Sequence, residues 1–531
     1  MAVKKKTSSK KKVSVTRKKS TRVSTESTKS KKKTISRRKT SAKKSRSDAD
    51  SGILQIAITF NPPSELPGPT KYPGRMNRAI VQQLVPDVTE RAMALAKLQE
   101  LGFVVSGTGS ITASVRGTRA LFEKTFGTQL TQFSVQTTSG HYACEKFYYP
   151  GEDAPWDPDP NVSHMIDDAY IQWPHIYMNQ LFPPGEPSPL PPQVDYHHLR
   201  VPGDVVNLVN AAPIHRNGGT GKGVTVAMID SGFALDHQYF KRMAYNTTVV
   251  LAPGASDRNR DGNGHGTAEC ANLLAIAPGV NFIGVKLDNE NDPRLGATIL
   301  EGLQEALSHN PDIISVSLGF DLVLDGSANR SHLNFLPNSL VALEAEIEAA
   351  VANGTVIVFS AGNGHVAFPG MMPDVISAGG TYVDELGAIQ ASDYASGFIS
   401  QIYPGRQVPD LSGLVGMADN GAAYIMLPLQ SGCAIDRTNN DGTGTEDGWA
   451  VISGTSAAAP QLAGVCALLK ERNPSLSPDD IKSLLRRSTI DVVNGRANAA
   501  SNQGVAQYAG VGPDSATGAG LVDAFAAWSQ V

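Results

Sequence analysis

Three runs of apolar, largely β-branched residues recur through the second half of this 531-residue chain: VTVAMI at 224–229, DIISVSL at 312–318 and TVIVFS at 355–360. Helical segments such as LVALEAEIEAAVANG lie between them. A strand with no polar alternate face has no side to show to water, so such runs, separated by helices, predict a parallel sheet covered on both faces. The expected class is α/β, and in open sheets of this kind chemistry gathers beyond the carboxyl ends of the strands.

The chain before this region has a different character. Residues 1–50 hold 20 Lys and Arg against three acids, leaving 27 bases against 47 acids in residues 51–531, although the whole chain carries only -3. A Lys, Arg, Ser and Thr tract cannot bury enough surface to offset the entropy of ordering it, so a disordered basic tail is expected. It reads either as a solubilising arm or as an anchor to nucleic acid or another polyanion. From Ile53 the apolar run ILQIAITF, a helix over 88–101, short strands through FVVSG and SITASV, and a helix near 118–126 predict a small α+β domain over 51–150. The stretch LFPPGEPSPLPPQ at 181–193 cannot join a sheet interior, so residues 151–204 read as a linker to a domain over 205–531.

No run of 18 apolar residues occurs, so no membrane span or membrane partner is expected. The basic N-terminus lacks the apolar stretch of a secretory signal, which gives a cytoplasmic expectation, the alternative being secretion by a route the sequence does not reveal. Cys144, Cys270, Cys433 and Cys466 are scattered and form no CxxC pair, so buried free thiols are expected.

Three segments carry chemistry. Asp230 opens DSG at the end of the first apolar run. In DGNGHGTAECANLLA, His265 stands before a helix between Gly264 and Gly266, which allow close backbone approach. In ISGTSAAAPQLAGVCALL, Ser456 opens a helix of small residues, where unpaired N–H groups and the helix dipole favour negative charge on a reacting oxygen. Pro460 is expected near the first turn, where its missing N–H is tolerated. A serine hydroxyl needs a neutral imidazole to take its proton and a carboxylate to hold that imidazole, and Ser456, His265 and Asp230 supply these types.

Two further segments imitate binding loops. GGTGKG at 218–223 has Gly223 after Lys222 where a phosphate loop needs Ser or Thr, and it precedes a strand instead of following one. DRNRDG at 257–262 begins like a calcium loop, but its twelfth position is Ala268 instead of a bidentate glutamate, so a flexible approach to His265 is expected.

Taken together, the Asp, His and Ser motifs in this order resemble the subtilisin family over about residues 205–531, ending in TGAGLVDAFAAW. The resemblance implies a subtilisin-like parallel sheet flanked by helices and a serine endopeptidase acting on protein or peptide substrates. It also implies a catalytic triad of Asp230, His265 and Ser456, an oxyanion-hole role for Asn363 in VFSAGNG, and a substrate strand at Ser317, Leu318 and Gly319 in ISVSLG.

A second resemblance, to the sedolisin or kumamolisin peptidases, lies in GTRALFEKTFGTQLTQF, FPGMMPDVISAGGT, RQVPDLSG and GVGPDSATG. It implies an activation domain that makes the chain a self-processing zymogen with its own prodomain as partner, cut between about Tyr149 and Asn217. It also implies structural calcium at Asp491, Val492, Gly510, Gly512 and Asp514, with no organic cofactor. Sedolisins carry a glutamate and an aspartate four residues apart on a helix, and an aspartate in the oxyanion hole. Here those positions read His265, Glu269 and Asn363, so the catalytic residues side with subtilisin, and Glu269 reads as a solvated or ion-paired helix carboxylate. The alternatives are a peptide ligase or macrocyclase using the same acyl-enzyme, and a polyanion-bound scaffold in which the protease fold is incidental.

Overall fold

A computed structural model describes residues 52–134, 141–142, 146–150, 154–177, 197–322, 335–418, 422–438 and 441–531. The basic tail at 1–50, Cys144 and the proline-rich stretch at 181–193 lie outside the described residues.

The N-terminal domain is built on β1 (Ile53–Phe60), whose side chains alternate between two packing partners. Ile56 and Ile58 face a core made with α1 (Val88–Leu101) and α2 (Arg119–Phe126), through Ala94, Leu98, Phe122 and Phe126. Ala57 faces the other way, into a core shared with the larger domain. The Asp87 side chain starts α1 by accepting the N–H groups of Thr89 and Glu90, and Gly102, in the left-handed conformation, ends it. Between the helices run β2 (Val104–Thr108) and β3 (Thr112–Thr118), with β3 antiparallel to β1.

The fourth strand of this sheet is β4 (Ile166–Ile171), which pairs antiparallel with the other edge of β1 to give the order β2-β3-β1-β4. The expected domain end at 150 is therefore corrected: residues placed in the linker by their prolines and acids complete the small sheet. The buried alternation runs Asp167, Ala169 and Ile171, too short, and opened by a carboxylate, to stand out beside the proline-rich stretch.

The larger domain begins its ordered strands with β5 (Ile176–Tyr177) and continues through β6 (Thr225–Asp230), β7 (Thr247–Leu251), α3 (His265–Ile276) and β8 (Asn281–Lys286). Next come α4 (Ile299–Ser308), β9 (Ile313–Val316), β10 (Leu318–Asp321), α5 (Asn338–Ala352), β11 (Val356–Ser360) and β12 (Ile376–Val383). It closes with β13 (Leu411–Leu414), α6 (Thr455–Arg472), β14 (Thr489–Ile490) and β15 (Leu521–Val522). The main sheet has the order β7-β8-β6-β9-β11-β12-β13-β15-β14, and a tenth strand, Ile389–Ala391, pairs with β12. From β7 to β15 along this order the strands run parallel, and β14 pairs antiparallel at the edge.

Both faces of this sheet are covered, as the apolar runs require. Val226 and Met228 of β6 pack with Leu273 of α3 and Leu462 of α6, while Ala227 and Ile229 pack with Leu300 of α4 and Leu343 of α5. The small sheet docks on α4 and α5. There the buried Glu346 of α5 accepts the Ser110 N–H at 2.7 Å, the Ile111 and Thr112 N–H groups at 3.3 Å, and the Thr112 hydroxyl at 2.9 Å. Beside it Arg116 of β3 pairs with Glu301 of α4 at 2.9 Å.

Candidate active site

Asp230 is the last residue of β6, at the carboxyl edge of the sheet, and His265 is the first of α3. The two meet because Gly266 has no side chain: a Cβ there would stand 2.8 Å from the Asp230 Cβ and collide with the Gly232 carbonyl. His265 Nδ1 lies 2.7 Å from Asp230 Oδ1, and both residues are fully buried. The Ser231 N–H donates to the same oxygen at 2.7 Å. Burial opposes a charged imidazole, but the charge and hydrogen bond of Asp230, with Glu269 and Asp261 behind it, outweigh burial and push His265 up to about 9.

Glu269 lies one turn along α3, buried, and accepts a hydrogen bond from Asn272 Nδ2 at 3.0 Å. Of the two expected settings of this carboxylate, solvated or ion-paired, the solvated one is corrected, because the helix is buried all round. Burial pushes its carboxyl up to about 7, against the pull of His265.

Ser456 is the second residue of α6 and is fully buried. Pro460 lies inside the helix, not in its first turn. Its missing N–H would have bonded the Ser456 carbonyl, and the Ser317 hydroxyl donates to that carbonyl instead, at 2.8 Å. The Ser456 hydroxyl in turn donates to the Ser317 carbonyl at 3.5 Å. Asn363 follows β11, and its Oδ1 accepts both the N–H and the hydroxyl of Thr455 at 2.9 Å. That commits the carbonyl end of the amide and leaves Nδ2 as the donor end. Thr455 also accepts the Gly362 N–H at 3.1 Å, so it ties the asparagine turn to the helix carrying Ser456. Neither this role of Thr455 nor the backbone role of Ser317 was read from the sequence. The proline four residues after Ser456 was the available signal for the second.

Leu318 and Gly319 begin β10, and that strand is paired. Leu318 stands opposite Tyr177 and Gly319 opposite Ile176, antiparallel, and the other edge of β5 pairs with the short strand His141–Tyr142. His175, immediately before β5, is buried; desolvation, with the charge of His265 adding to it and that of Asp230 opposing, lowers it to about 4. Residues 176–177, like β4, fall within the expected linker and form a paired strand instead.

At the far end of the chain, Asp491 accepts the Gly512 N–H at 3.1 Å, and Asp514 accepts the Gly510 N–H at 2.8 Å. The Gly512 bond brings Asp491 against the segment at 510–514, and Val492, next in the chain, is buried. Carboxylate oxygens are hard donors of the kind calcium takes. No group of three or more His, Cys, Asp or Glu side chains among the described residues is arranged to hold a metal.

The remaining sequence features are structural. The N–H groups of Thr220 and Gly221, in the segment imitating a phosphate loop, both donate to Glu471 Oε2 at 2.7 Å. Cys270, Cys433 and Cys466 are free and buried, and burial pushes each thiol up, to about 12 for Cys433 and Cys466. No helix of the described residues is long and apolar enough to cross a membrane.

A mostly parallel sheet covered by helices, with an Asp–His pair at its carboxyl edge and a serine at a helix start, places the chain in the α/β class. Residues 221–520 match the subtilase family, and the chain belongs to that family. Among curated proteins it is similar to the serine protease AprX of Bacillus subtilis (strain 168), 30% identical over 309 residues, 53% of this chain and 64% of that protein. It is also similar to alkaline elastase YaB of Bacillus sp. (strain YaB), at 28% identity over 54% of this chain and 65% of the relative. Subtilisin E of Bacillus subtilis (strain 168) is 25% identical over 54% and 66%. The chain thus spans just under two thirds of the length of these relatives. Among solved structures, fervidolysin from Fervidobacterium pennivorans, a keratinolytic enzyme related to subtilisin, aligns with a TM-score of 0.51 at 16% identity, over 90% of this chain and 61% of that one.

Proposed function

We propose that the chain is a serine endopeptidase made as a self-processing zymogen, in which Ser456 is the nucleophile, His265 the general base and Asp230 the group that holds His265. The observation that carries this reading is the 2.7 Å Asp230–His265 hydrogen bond at the sheet edge, in a chain of the subtilase family.

Asp230 binds Nδ1, which keeps the neutral tautomer with Nε2 as acceptor for the Ser456 proton. As Ser456 Oγ attacks the scissile carbonyl, the developing oxyanion takes donors from the Ser456 N–H, at the helix start, and from Asn363 Nδ2. His265 then returns the proton to the leaving amine, and water repeats the sequence on the acyl-enzyme. Substrate lies along Ser317, Leu318 and Gly319 by strand addition. The pairing of Ile176 and Tyr177 with this strand supports the zymogen reading, since the chain's own segment occupies the place of a peptide. Calcium, if bound, would be held by the carboxylates of Asp491 and Asp514 and the carbonyls of Val492, Gly510 and Gly512, and would cross-link that loop.

The test is to incubate the purified chain with a mixed peptide library and read new termini by mass spectrometry, with Ser456→Ala as control. New termini from wild type alone support the reading. Identical products from both proteins, or none from either, refute it, and joined or cyclic products would move the activity to ligation.

A further inference from the structure

The loop at 257–262, expected to be a flexible approach to His265, is pinned from two sides. Lys286, the last residue of β8 and the register partner of Asp230, is fully buried. Its Nζ donates to the Asp257 carbonyl at 3.0 Å and the Arg260 carbonyl at 2.6 Å, and pairs with Glu290. Glu290 accepts the Gly262 N–H at 3.2 Å, and Gln430 accepts the Asp261 N–H at 2.7 Å. A buried lysine beside the strand of Asp230 thus fixes the backbone on which the Asp261 side chain turns inward.

The Asp261 carboxylate has no exposure and accepts four hydrogen bonds. Oδ1 takes the Ser231 hydroxyl and the Gly264 N–H, each at 2.9 Å. Oδ2 takes the Thr267 N–H at 2.9 Å and the Thr267 hydroxyl at 2.6 Å. Ser231 is the neighbour of Asp230, and its oxygen also accepts the Gly266 N–H at 3.0 Å. Gly264 and Gly266 flank His265. Every helix start leaves N–H groups without intrahelical partners, and the residue preceding α3, Gly264, has no side chain to cap them. Asp261 and Ser231 cap them instead, from outside the helix, and the same two side chains bond to each other.

We propose that Asp261 is a positioning residue of this site, clamping the turn after Asp230 to the helix end that carries His265 so that the imidazole is held for proton transfer. The proposal rests on the serine-peptidase reading. Asp261 does not touch a substrate; it acts through the backbone on either side of the Asp–His pair. Its bonds are charge-assisted, and so roughly twice as strong as neutral ones, and a catalytic pair tolerates only about 0.5 Å of drift. The ionisable groups facing His265 are Asp230 at the end of β6, Asp261 from the loop at 257–262, Glu269 from α3 and His175 from the residues before β5.

Asp261→Asn keeps the shape but turns one acceptor into an NH2 group facing N–H or O–H donors. The probe is a small alkyl fluorophosphonate, which labels an activated serine without requiring a known peptide, and its rate of reaction with Ser456 is followed from pH 5 to 10 on the full chain. Asp261→Asn should label slower by up to about 100-fold, the cost of a misplaced reacting group, with the acid limb of the profile displaced from that of wild type. Thr267→Val removes one of the four donors and should give a smaller loss in the same direction, which decides the matter if the Asp261 variant proves unfolded by circular dichroism. A folded Asp261→Asn chain with wild-type rate and limb overturns the proposal, as does a lowered melting temperature with neither rate nor limb changed. A wild type that does not label overturns the peptidase reading and this proposal with it.

Discussion

Tyr177 stands opposite Leu318 in an antiparallel pair, so the chain's own N-terminal segment lies on the strand along which a peptide substrate is proposed to run. Strand addition uses main-chain hydrogen bonds that any extended peptide can make, so the segment and a substrate compete for one edge. Residue 177 lies inside the interval from about Tyr149 to Asn217 in which self-cleavage is expected.

The pH dependence of activity follows from His265. Its neutral form must accept the Ser456 proton, and the folded site pushes it from the ordinary 6.5 up to about 9. Activity should therefore be lost in acid and climb through an acid limb above pH 6.5, giving an alkaline optimum. The same shift acts oppositely on stability: the contribution of this pair is full below pH 6.5 and is lost as pH rises through about 9. Initial rates and unfolding midpoints, measured across pH 5 to 10, check both directions. Glu269→Gln should leave most activity, whereas Asp230→Asn should remove it. An acid optimum with an essential Glu269 would contradict the assignment.

If Asn363 serves the oxyanion as proposed, Asn363→Leu should lower kcat by about 10²–10³ with little change in KM, the usual cost of losing one oxyanion-hole donor. Because Asn363 Oδ1 also binds Thr455, the variant should melt lower as well. Steady-state kinetics on a peptide cleaved by wild type separate the two effects. A loss confined to KM would contradict an oxyanion role.

Much of this architecture was legible because it obeys simple periodicities. The apolar runs at 224–229, 312–318 and 355–360 became β6, β9 and β11, and Val88–Leu101 became α1 at the expected ends, since Asp87 and Gly102 carry their own capping chemistry. The prolines of the linker hid β4 and β5, whose strand character comes from their partners, β1 and β10, and not from their own composition. Asp261 and Thr455 were equally hidden, because each acts on residues brought near only by folding. The solvated setting of Glu269 fails because α3 is buried on every side, so helical periodicity marks no exposed face.

Glu346 is the anchor of the small sheet on α5. Glu346→Ala leaves the Ser110, Ile111 and Thr112 N–H groups without their acceptor, at a cost of about 1–3 kcal/mol. Hydrogen exchange at 110–112 in the Ser456→Ala chain should accelerate by about 5- to 150-fold relative to unaltered Glu346. Unchanged exchange there would show that the sheet is held by its other contacts.

If Asp491 and Asp514 hold calcium, millimolar calcium should raise the melting temperature of the wild-type chain and chelator should lower it, while Asp514→Asn abolishes the response. Differential scanning calorimetry with and without chelator reads this directly. An equal calcium response in wild type and Asp514→Asn would place any bound ion elsewhere.

The central claim is that Ser456, activated by His265 and Asp230, cuts this chain's own N-terminal region. Mass spectrometry of the purified wild type after incubation at pH 8, beside Ser456→Ala and His265→Ala prepared identically, tests it most directly. The account predicts that the wild type alone separates into an N-terminal fragment and a peptidase fragment with their junction between about 149 and 217, both variants remaining full length. The same two fragments from Ser456→Ala would contradict it.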